Sequence, residues 1–439
     1  MPVENFKINN LDLAGIDHIQ AGIFDINGVI RGKRLPVSSY QKIINKGIQI
    51  PLSAQNIDIF GGDIQNSKFV FETGDKDGTA RWQGASLVKL LHLAQPILLI
   101  PLGLTHQNGS SFAGCPRAYL KSVMDMLKKN KRTVKCGIEL EFCLTSDNSE
   151  LKILSQPQSL SLLALDSIDQ FLRDIQQITN QLGITIESAL SEAGIGQIEL
   201  VLAPQTDLVQ LADAILILKH SLLAYAQAKG MSVSFKAKPD KHLSGNGMHC
   251  HLSIEDSNLE NLFAKDEVSF KAAIAGILNI LTPATAILAP LPESYDRFQE
   301  NSHAPTNIGW GYDNRTVAVR VPQSPPEAKR FELRVAGIDC NPYLLFGILV
   351  SSMIDGINTM LVPPPPVSGN GYEAELDRLP TDLATAISLF EKSRKIHDFM
   401  PETLRQMYVA TKNQEIRIAL SGEFDEKKWN KTIKPSSFI

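Results

Sequence analysis

Four short segments of this 439-residue chain carry side chains suited to metal or acid–base chemistry. Glu139 and Glu141 lie in GIELEFCL (137–144), Gln197 and Glu199 in GQIELVL (196–202), and His249, His251 and Ser253 in GMHCHLSI (247–254). Glu332 and Arg334 lie in FELRV (331–335). Each alternates with apolar residues, and strict alternation is the period of a strand, whose successive side chains point to opposite faces. Glu139 and Glu141 then share one surface about 7 Å apart, where unpaired carboxylates repel. For any one strand, a solvated outer face is the commoner source of the pattern. Taken together, the four carry acids, imidazoles and a guanidinium in place of the Lys, Thr and Ser of an ordinary wet face. Hard divalent cations such as magnesium and manganese prefer carboxylate oxygen, and manganese also accepts imidazole. The set implies a polynuclear metal site.

Such a site needs a rigid sheet, and helical patterns surround these strands. Arg117–Lys129 has Leu120, Val123, Met124 and Leu127 at helical spacing behind Pro116, a residue suited to a first turn. Leu165–Leu182 and Asp207–Lys229 repeat the pattern, and Ser232–Lys238 reads as a further strand. Thr381–Lys395 and Pro401–Ala410 are amphipathic, whereas the four prolines of VPPPPVSGNG (362–371) require an extended loop. Earlier, Ile19–Pro36 alternates around Asn27-Gly28, a hairpin signal. A small β-rich unit is expected to run through the apolar strand Ile97–Pro101 and to end in THQNGSSFAGCP (105–116). The reading is α+β, with helices packed on one side of a mostly antiparallel sheet and a domain boundary near residue 110.

Hydrophobic residues make up 43% and charged residues 21%, as in ordinary globular proteins, and 439 residues favour two domains over one. The net charge of −4, without a Lys/Arg run, gives no basic field for nucleic acid. Five scattered cysteines without a CxxC pair read as buried thiols in a reducing cytoplasm, and the mixed polar Met1–Asn10 has no signal-peptide pattern. Ala272–Leu291 is the most membrane-like stretch. Asn279, Pro283 and Pro290 interrupt it, so a buried helix followed by a loop is expected.

GIELEF, SEAGIGQIE, KP followed by SGNGMHCHLS, DNRTVAVR and RFELRVAGIDCNPYL resemble the successive signatures of glutamine synthetases and related γ-glutamyl amide ligases. They keep that family's order and spacing from about Ile19 onward. The resemblance implies an N-terminal β-grasp domain (1–110) and a catalytic domain (111–439) with a curved, mostly antiparallel sheet. It also implies homo-oligomers, with dodecamers of stacked rings. By the same resemblance, Glu141, Glu192 and Glu199 hold the metal nearer the amino acid, and Glu139, His249 and Glu332 the metal at the nucleotide phosphates. ATP and two or more Mg2+ or Mn2+ ions per site are the implied cofactors. Arg297 and Arg334 match the substrate-carboxylate arginines, Arg315 and Arg320 those on the transferred phosphate. Ser253 and Arg330 fall at nucleotide contacts, and Gly245 in the loop that touches the amino-acid backbone. The chemistry suits the residues. Forming an amide from a carboxylate requires activation as a γ-glutamyl phosphate, and cations and bidentate guanidinium groups neutralise the anions involved.

The pattern departs from glutamine synthetases proper where ammonium is handled. In RFQENSHAP, His303 occupies the position of the flap glutamate, and PLSAQNIDIFGG lacks the aspartate of the F-D-G-S-S segment, although Asp58 or Asp63 lies near. Without those carboxylates ammonium binds weakly and keeps its proton, whereas a larger amine is held by its carbon skeleton. His303 serves either as base for such an amine or only as flap closure, and His251 either supports the site or contacts ligand directly. ENSHAPTNIGWGYDNRTVAVRVP is more similar to γ-glutamylpolyamine synthetases, Glu327 replaces a lysine, Ser244 replaces an asparagine, and Tyr372 does not match the adenylylation tyrosine. The expected activity is ATP-dependent ligation of glutamate to an amine such as a polyamine. Glutamine synthesis from ammonia and a non-catalytic relative are the alternatives. Glutamate and an amine or ammonia are the expected partners, with no nucleic acid and no membrane.

Overall fold

The computed structural model describes residues 11–421 except 66, 92, 94, 147–153 and 243; the segment Met1–Asn10 and residues 422–439 lie outside the described residues. The Asn27-Gly28 signal marks a hairpin, as its alternation requires: β1 (His18–Phe24) pairs antiparallel with β2 (Ile30–Pro36), with Phe24 opposite Ile30. The connection is longer than a two-residue turn. The buried Asp25 carboxylate accepts from the backbone N–H groups of Asn27 and Val29, both at 2.9 Å, and Gly28 takes the left-handed φ of 81°.

Five more strands complete this part: β3 (Ile48–Pro51), β4 (Asp77–Arg81), β5 (Val88–Leu90), β6 (Ile97–Pro101) and β7 (Gly103–Thr105). They form a four-stranded sheet ordered β2-β1-β6-β5 and a three-stranded sheet ordered β3-β4-β7.

The charged segments all enter one eight-stranded sheet. Its strands are β8 (Thr133–Ser146), β9 (Ile186–Ser191), β10 (Gln197–Gln205), β11 (Met231–Ser234), β12 (Met248–Glu255), β13 (Trp310–Tyr312), β14 (Val319–Val321) and β15 (Phe331–Leu333). The order is β13-β14-β15-β12-β8-β10-β9, with β11 also on β8. Among the described residues every pairing is antiparallel except β13–β14. The register sets Glu139 opposite His249, Glu141 opposite Glu199, and His251 opposite Glu332. Cross-strand partners share a face, so alternation on separate strands becomes one polar surface. The other face is core, where Ile138, Leu140, Leu200, Met248, Leu252 and Phe331 are buried.

Helices Pro116–Lys129, Leu208–Ala228, Glu267–Leu288 and Pro342–Asn358 contribute to that same core. The last two touch backbone to backbone. A Cβ on Gly276 would stand 2.1 Å from the Ser352 carbonyl oxygen and 3.0 Å from Gly356 Cα. Leu208–Ala228 and Glu267–Leu288 have the length and apolar character of membrane spans, but 72% and 78% of those stretches is buried within the fold. They are core helices.

Three expectations are refined. The helical pattern at 165–182 is two helices, Leu162–Ser167 and Asp169–Leu182, broken at Ile168; apolar spacing is the same on both sides, so periodicity does not reveal the break. Glu267–Leu288 continues through Asn279 and Pro283, because close packing outweighs one lost backbone bond and the ring clash, a cost of about 3 kcal/mol. Thr381–Lys395 is likewise two helices, Leu383–Lys392 and Arg394–Phe399.

The C-terminal helix Glu402–Ser421 is tied to the first hairpin by a buried polar junction. Lys412 Nζ donates to Asn27 Oδ1 and Glu415 Oε2, both at 2.7 Å, and Glu415 Oε1 accepts from Asn27 Nδ2 at 2.9 Å and Ile59 N at 2.8 Å. The Lys412 and Glu415 side chains are 0% and 1% exposed. Removing one partner strands a buried charge, so Lys412→Met is expected to cost about 3–5 kcal/mol in chemical denaturation. Adding Glu415→Gln should recover part of that loss. Unchanged stability in Lys412→Met would show that the junction does not hold the two ends of the chain together.

Candidate functional site

The polar face of the sheet forms the floor of a cavity of about 590 Å³. Glu139 is gripped from both sides: its Oε2 lies 2.9 Å from His249 Nδ1 and its Oε1 2.8 Å from His251 Nε2. His249 Nδ1 also faces Glu141 at 3.6 Å and Glu332 at 3.8 Å, so three carboxylates converge on one ring nitrogen. Glu141 Oε2 accepts from Gly247 N at 2.7 Å. Glu199 projects from β10 beside Glu141, and Glu192 sits on the β9–β10 turn, where its N–H donates to the Gln197 carbonyl at 2.8 Å.

This crowding appears in the proton affinities. Burial, then repulsion from Glu139, Glu141, Glu192 and Glu332, pushes the Glu199 carboxyl from 4.5 up to about 9. Burial and the neighbouring Glu141 raise Glu192 as well. For Glu139, burial pulls upward, but hydrogen bonds and charge from His249 and His251 win and hold the carboxyl far below the usual range. Glu332 is also lowered, because attraction to Arg334 and the two histidines overcomes burial. One carboxylate set thus contains members pushed in opposite directions, as coupled acids in one site must be.

Of the six residues expected to hold metal, Glu139, Glu141, Glu192, Glu199 and His249 line the cavity and Glu332 lies beside His249, but the groups close enough to share an ion cut across the two expected sets. Glu139, Glu199 and His249 each offer a ligand atom within 4.8 Å of one another, and so do Glu139, His251 and Glu332. Arg330 Nε donates to His251 Nδ1 at 3.2 Å, which leaves the Nε2 proton for Glu139. In that tautomer His251 orients Glu139 and has no lone pair free for a cation.

The arginines lie around this floor. Arg297 is buried beneath it, donating to the Val335 carbonyl at 2.7 Å and the Arg334 carbonyl at 3.1 Å, with a guanidinium nitrogen 3.4 Å from His249 Nε2. Burial lowers its pKa. Arg334 pairs closely with Glu332 Oε1, and Arg320 with Glu332 Oε2 at 2.9 Å. Glu332 is 1% exposed and these two cations compensate it. Arg320 Nε and Arg334 Nε are buried without a hydrogen-bond partner, so each keeps a donor to spare. Arg315 is exposed and lines the cavity mouth. Gly245 also lines it, and a Cβ there would stand 2.9 Å from Arg297 Cγ.

On the other side of Glu139 lies a second cavity of about 390 Å³. His251, Ser253, Arg330 and Glu327 line it. The residues expected at the nucleotide are therefore separated from those expected at glutamate by the carboxylate both sets share. Arg320 and Glu332 line neither cavity. His303 is exposed at the first cavity, with a left-handed φ of 60°. Asp58 is elsewhere: buried, it accepts from Phe60 N, Gly62 N and Gln414 Nε2. It helps dock the C-terminal helix and is not offered to this cavity.

Sequence reasoning missed the residues that hold the ligands. Gln197 Nε2 bonds the Gly245 carbonyl and Asn246 Oδ1, both at 3.0 Å, and reaches Glu141 at 3.4 Å. Its place on the charged face of β10 was the available signal. Ser159, Leu160 and Leu190 also line the cavity, and no local pattern distinguishes them.

Comparison with known proteins agrees with this geometry. Residues 113–429 match the glutamine synthetase catalytic domain. A γ-glutamylputrescine synthetase of Escherichia coli is 30% identical over 416 residues, covering 91% of this chain and 88% of the relative. A glutamate–isopropylamine ligase of a Pseudomonas species is 29% identical, covering 92% of both. A glutamine synthetase of Pyrococcus abyssi is 28% identical, covering 90% of this chain and 89% of its own. The ligand-free structure of GmaS shares the fold with a TM-score of 0.81 and 24% identity, over 95% of this chain and 96% of that one. The chain belongs to the glutamine synthetase family and is a carbon–nitrogen ligase.

Proposed function

We propose that this protein activates L-glutamate with ATP as γ-glutamyl phosphate and transfers the γ-glutamyl group to an organic amine, with Mg2+ or Mn2+ ions held by Glu139, Glu141, Glu192, Glu199, His249 and Glu332. The donor set fits hard divalent cations: five carboxylates with one imidazole, and one of those carboxylates, Glu199, with its proton affinity raised by burial and by its neighbours' charge. Bound ions would neutralise the phosphates during transfer. The chain's own residues do the rest. Arg297 and Arg334 hold the glutamate carboxylate, with Gly245 leaving room for the amino-acid backbone. Arg315 and Arg320 meet the transferred phosphate, and Ser253 and Arg330 the nucleotide. The unpartnered Nε donor of Arg334, which lines the cavity, supports this assignment, since a buried guanidinium donor without an acceptor is costly unless an anion arrives.

The single observation favouring an amine over ammonia is His303 at the flap, with Asp58 committed to the helix junction. Among this chain's described residues, every carboxylate that lines the cavity is one of those given to metal. An imidazole accepts the proton of an incoming amine without the negative charge that concentrates ammonium. The relatives acting on putrescine and isopropylamine are consistent with this reading. Assembly in stacked rings of twelve, with the family's subunit-spanning sites, belongs to the same proposal.

Three measurements follow. Phosphate release from ATP and glutamate should be stimulated at least about tenfold more, in kcat/KM, by an organic amine than by ammonium; turnover confined to ammonium would overturn the acceptor assignment. Glu141→Ala should lower turnover at least about a thousandfold while keeping the melting temperature within a few degrees, and undiminished turnover would remove the metal assignment. The third concerns pH. A folded-state carboxyl raised from 4.5 to about 9 stabilises the protein fully below pH 4.5, and that contribution is lost as pH climbs through about 9. In chelator, Glu199→Gln should therefore gain stability relative to wild type between pH 5 and 9, by on the order of 2 kcal/mol after allowance for solvent relaxation. Manganese should shrink the gap, and parallel melting curves across that range would count against the carboxylate cluster.

A further inference from the structure

Arg297 reaches the main cavity from a short 3-10 helix, Pro292–Arg297, a geometry in which side chains three residues apart stand in line. Ser294 is the residue in line with Arg297. Its hydroxyl donates to Asp339 Oδ2 and accepts from the Leu291 N–H at 3.0 Å, and Ser294, Arg297 and Asp339 are all buried. Arg297 itself donates to the carbonyls of Val335 and Arg334. The helix is thus clamped to segment 334–339 at two points, the guanidinium and the serine.

Asp339 lines neither the main cavity nor the one beyond Glu139, and the chemistry described so far does not use it. Its charge is nonetheless kept where charge is costly. Burial pushes the carboxyl from 3.8 up to about 6, against the pull of Ser294 and Lys219, which leaves it ionised at neutral pH. Its Oδ1 is buried without a hydrogen-bond partner and lies over Gly337, where it leaves no room for a Cβ. Lys219, also buried, donates to the Ile338 carbonyl at 2.8 Å and sits over the Phe235 ring. Arg297 is the second buried cation near this carboxylate. Burial works against its charge, and the carboxylates that oppose this are Glu141 and Asp339. Glu141 is a candidate metal ligand, so a bound cation claims its charge. Asp339 is the anion that stays with Arg297.

Resting on the ligase reading above, we propose that Asp339 is a positioning residue for Arg297: through Ser294 it fixes the helix that carries the guanidinium, and it supplies the countercharge left to that guanidinium once Glu141 holds a cation. It touches no substrate and acts only through Arg297. Its effect falls on glutamate and spares the nucleotide, because Ser253 and Arg330 line the separate cavity beyond Glu139.

The test uses the full-length chain with ATP and manganese, reading phosphate release with n-propylamine, putrescine or ammonium, whichever the wild type uses fastest. Asp339→Asn keeps the shape of the side chain and removes its charge. It should raise the KM for glutamate about tenfold while moving the KM for ATP less than about twofold. Ser294→Ala, which leaves both buried cations and the Asp339 carboxylate in place, should raise the glutamate KM about fivefold, again without moving that of ATP. Should Asp339→Asn fail to fold, Ser294→Ala alone decides. A glutamate KM that does not move, even with a lowered melting temperature, or KM values for glutamate and ATP that rise together, shows a merely structural role and overturns the positioning assignment while leaving the ligase reading standing. Absence of glutamate-dependent phosphate release from the wild type with all three amines overturns both.

Discussion

Mutual repulsion among four carboxylates on one sheet face, with Glu192 on the adjoining turn, is the constraint around which this molecule is arranged. Glu139, Glu141, Glu199 and Glu332 cannot relieve it by sliding, because a one-residue slip of any strand would turn its core residues to the cavity. The apolar face locks the charged one. Relief comes from the sides: His249 and His251 on Glu139, Arg320 and Arg334 on Glu332, a proton on Glu199.

The helices behind the sheet supply the rigidity that such an arrangement needs. Backbone contact at Gly276 and Gly356 lets two long apolar helices cross closely, and both contribute to the core beneath the ligand strands. The N-terminal sheets join through polar groups buried at Lys412, Glu415, Asp58 and Gln414. An aspartate near the ammonium-handling position of related enzymes therefore serves here as a structural acceptor.

Much of the floor was legible in the sequence because alternation is a local property. Glu139, Glu141, Glu199, His249 and Glu332 were each placed on the right face by a period of two, and resemblance to a family supplied Glu192, which no alternation marks. Register is not local. That Glu141 stands opposite Glu199, and His251 opposite Glu332, follows from pairings between residues about 60 and 80 positions apart in the chain. The break at Ile168 and the continuation through Pro283 escaped for related reasons: one leaves the apolar period intact, and the other is decided by packing against a distant helix.

The most direct test of a cation-dependent carboxylate cluster is calorimetric titration of Mn2+ into chelator-stripped protein at pH 7.5, repeated in two buffers of different ionisation enthalpy. More than one ion per chain should bind with net proton release, and Glu199→Gln should reduce that release. Binding of a single ion without proton exchange, unchanged by Glu199→Gln, would contradict the assignment of this face as a polynuclear site.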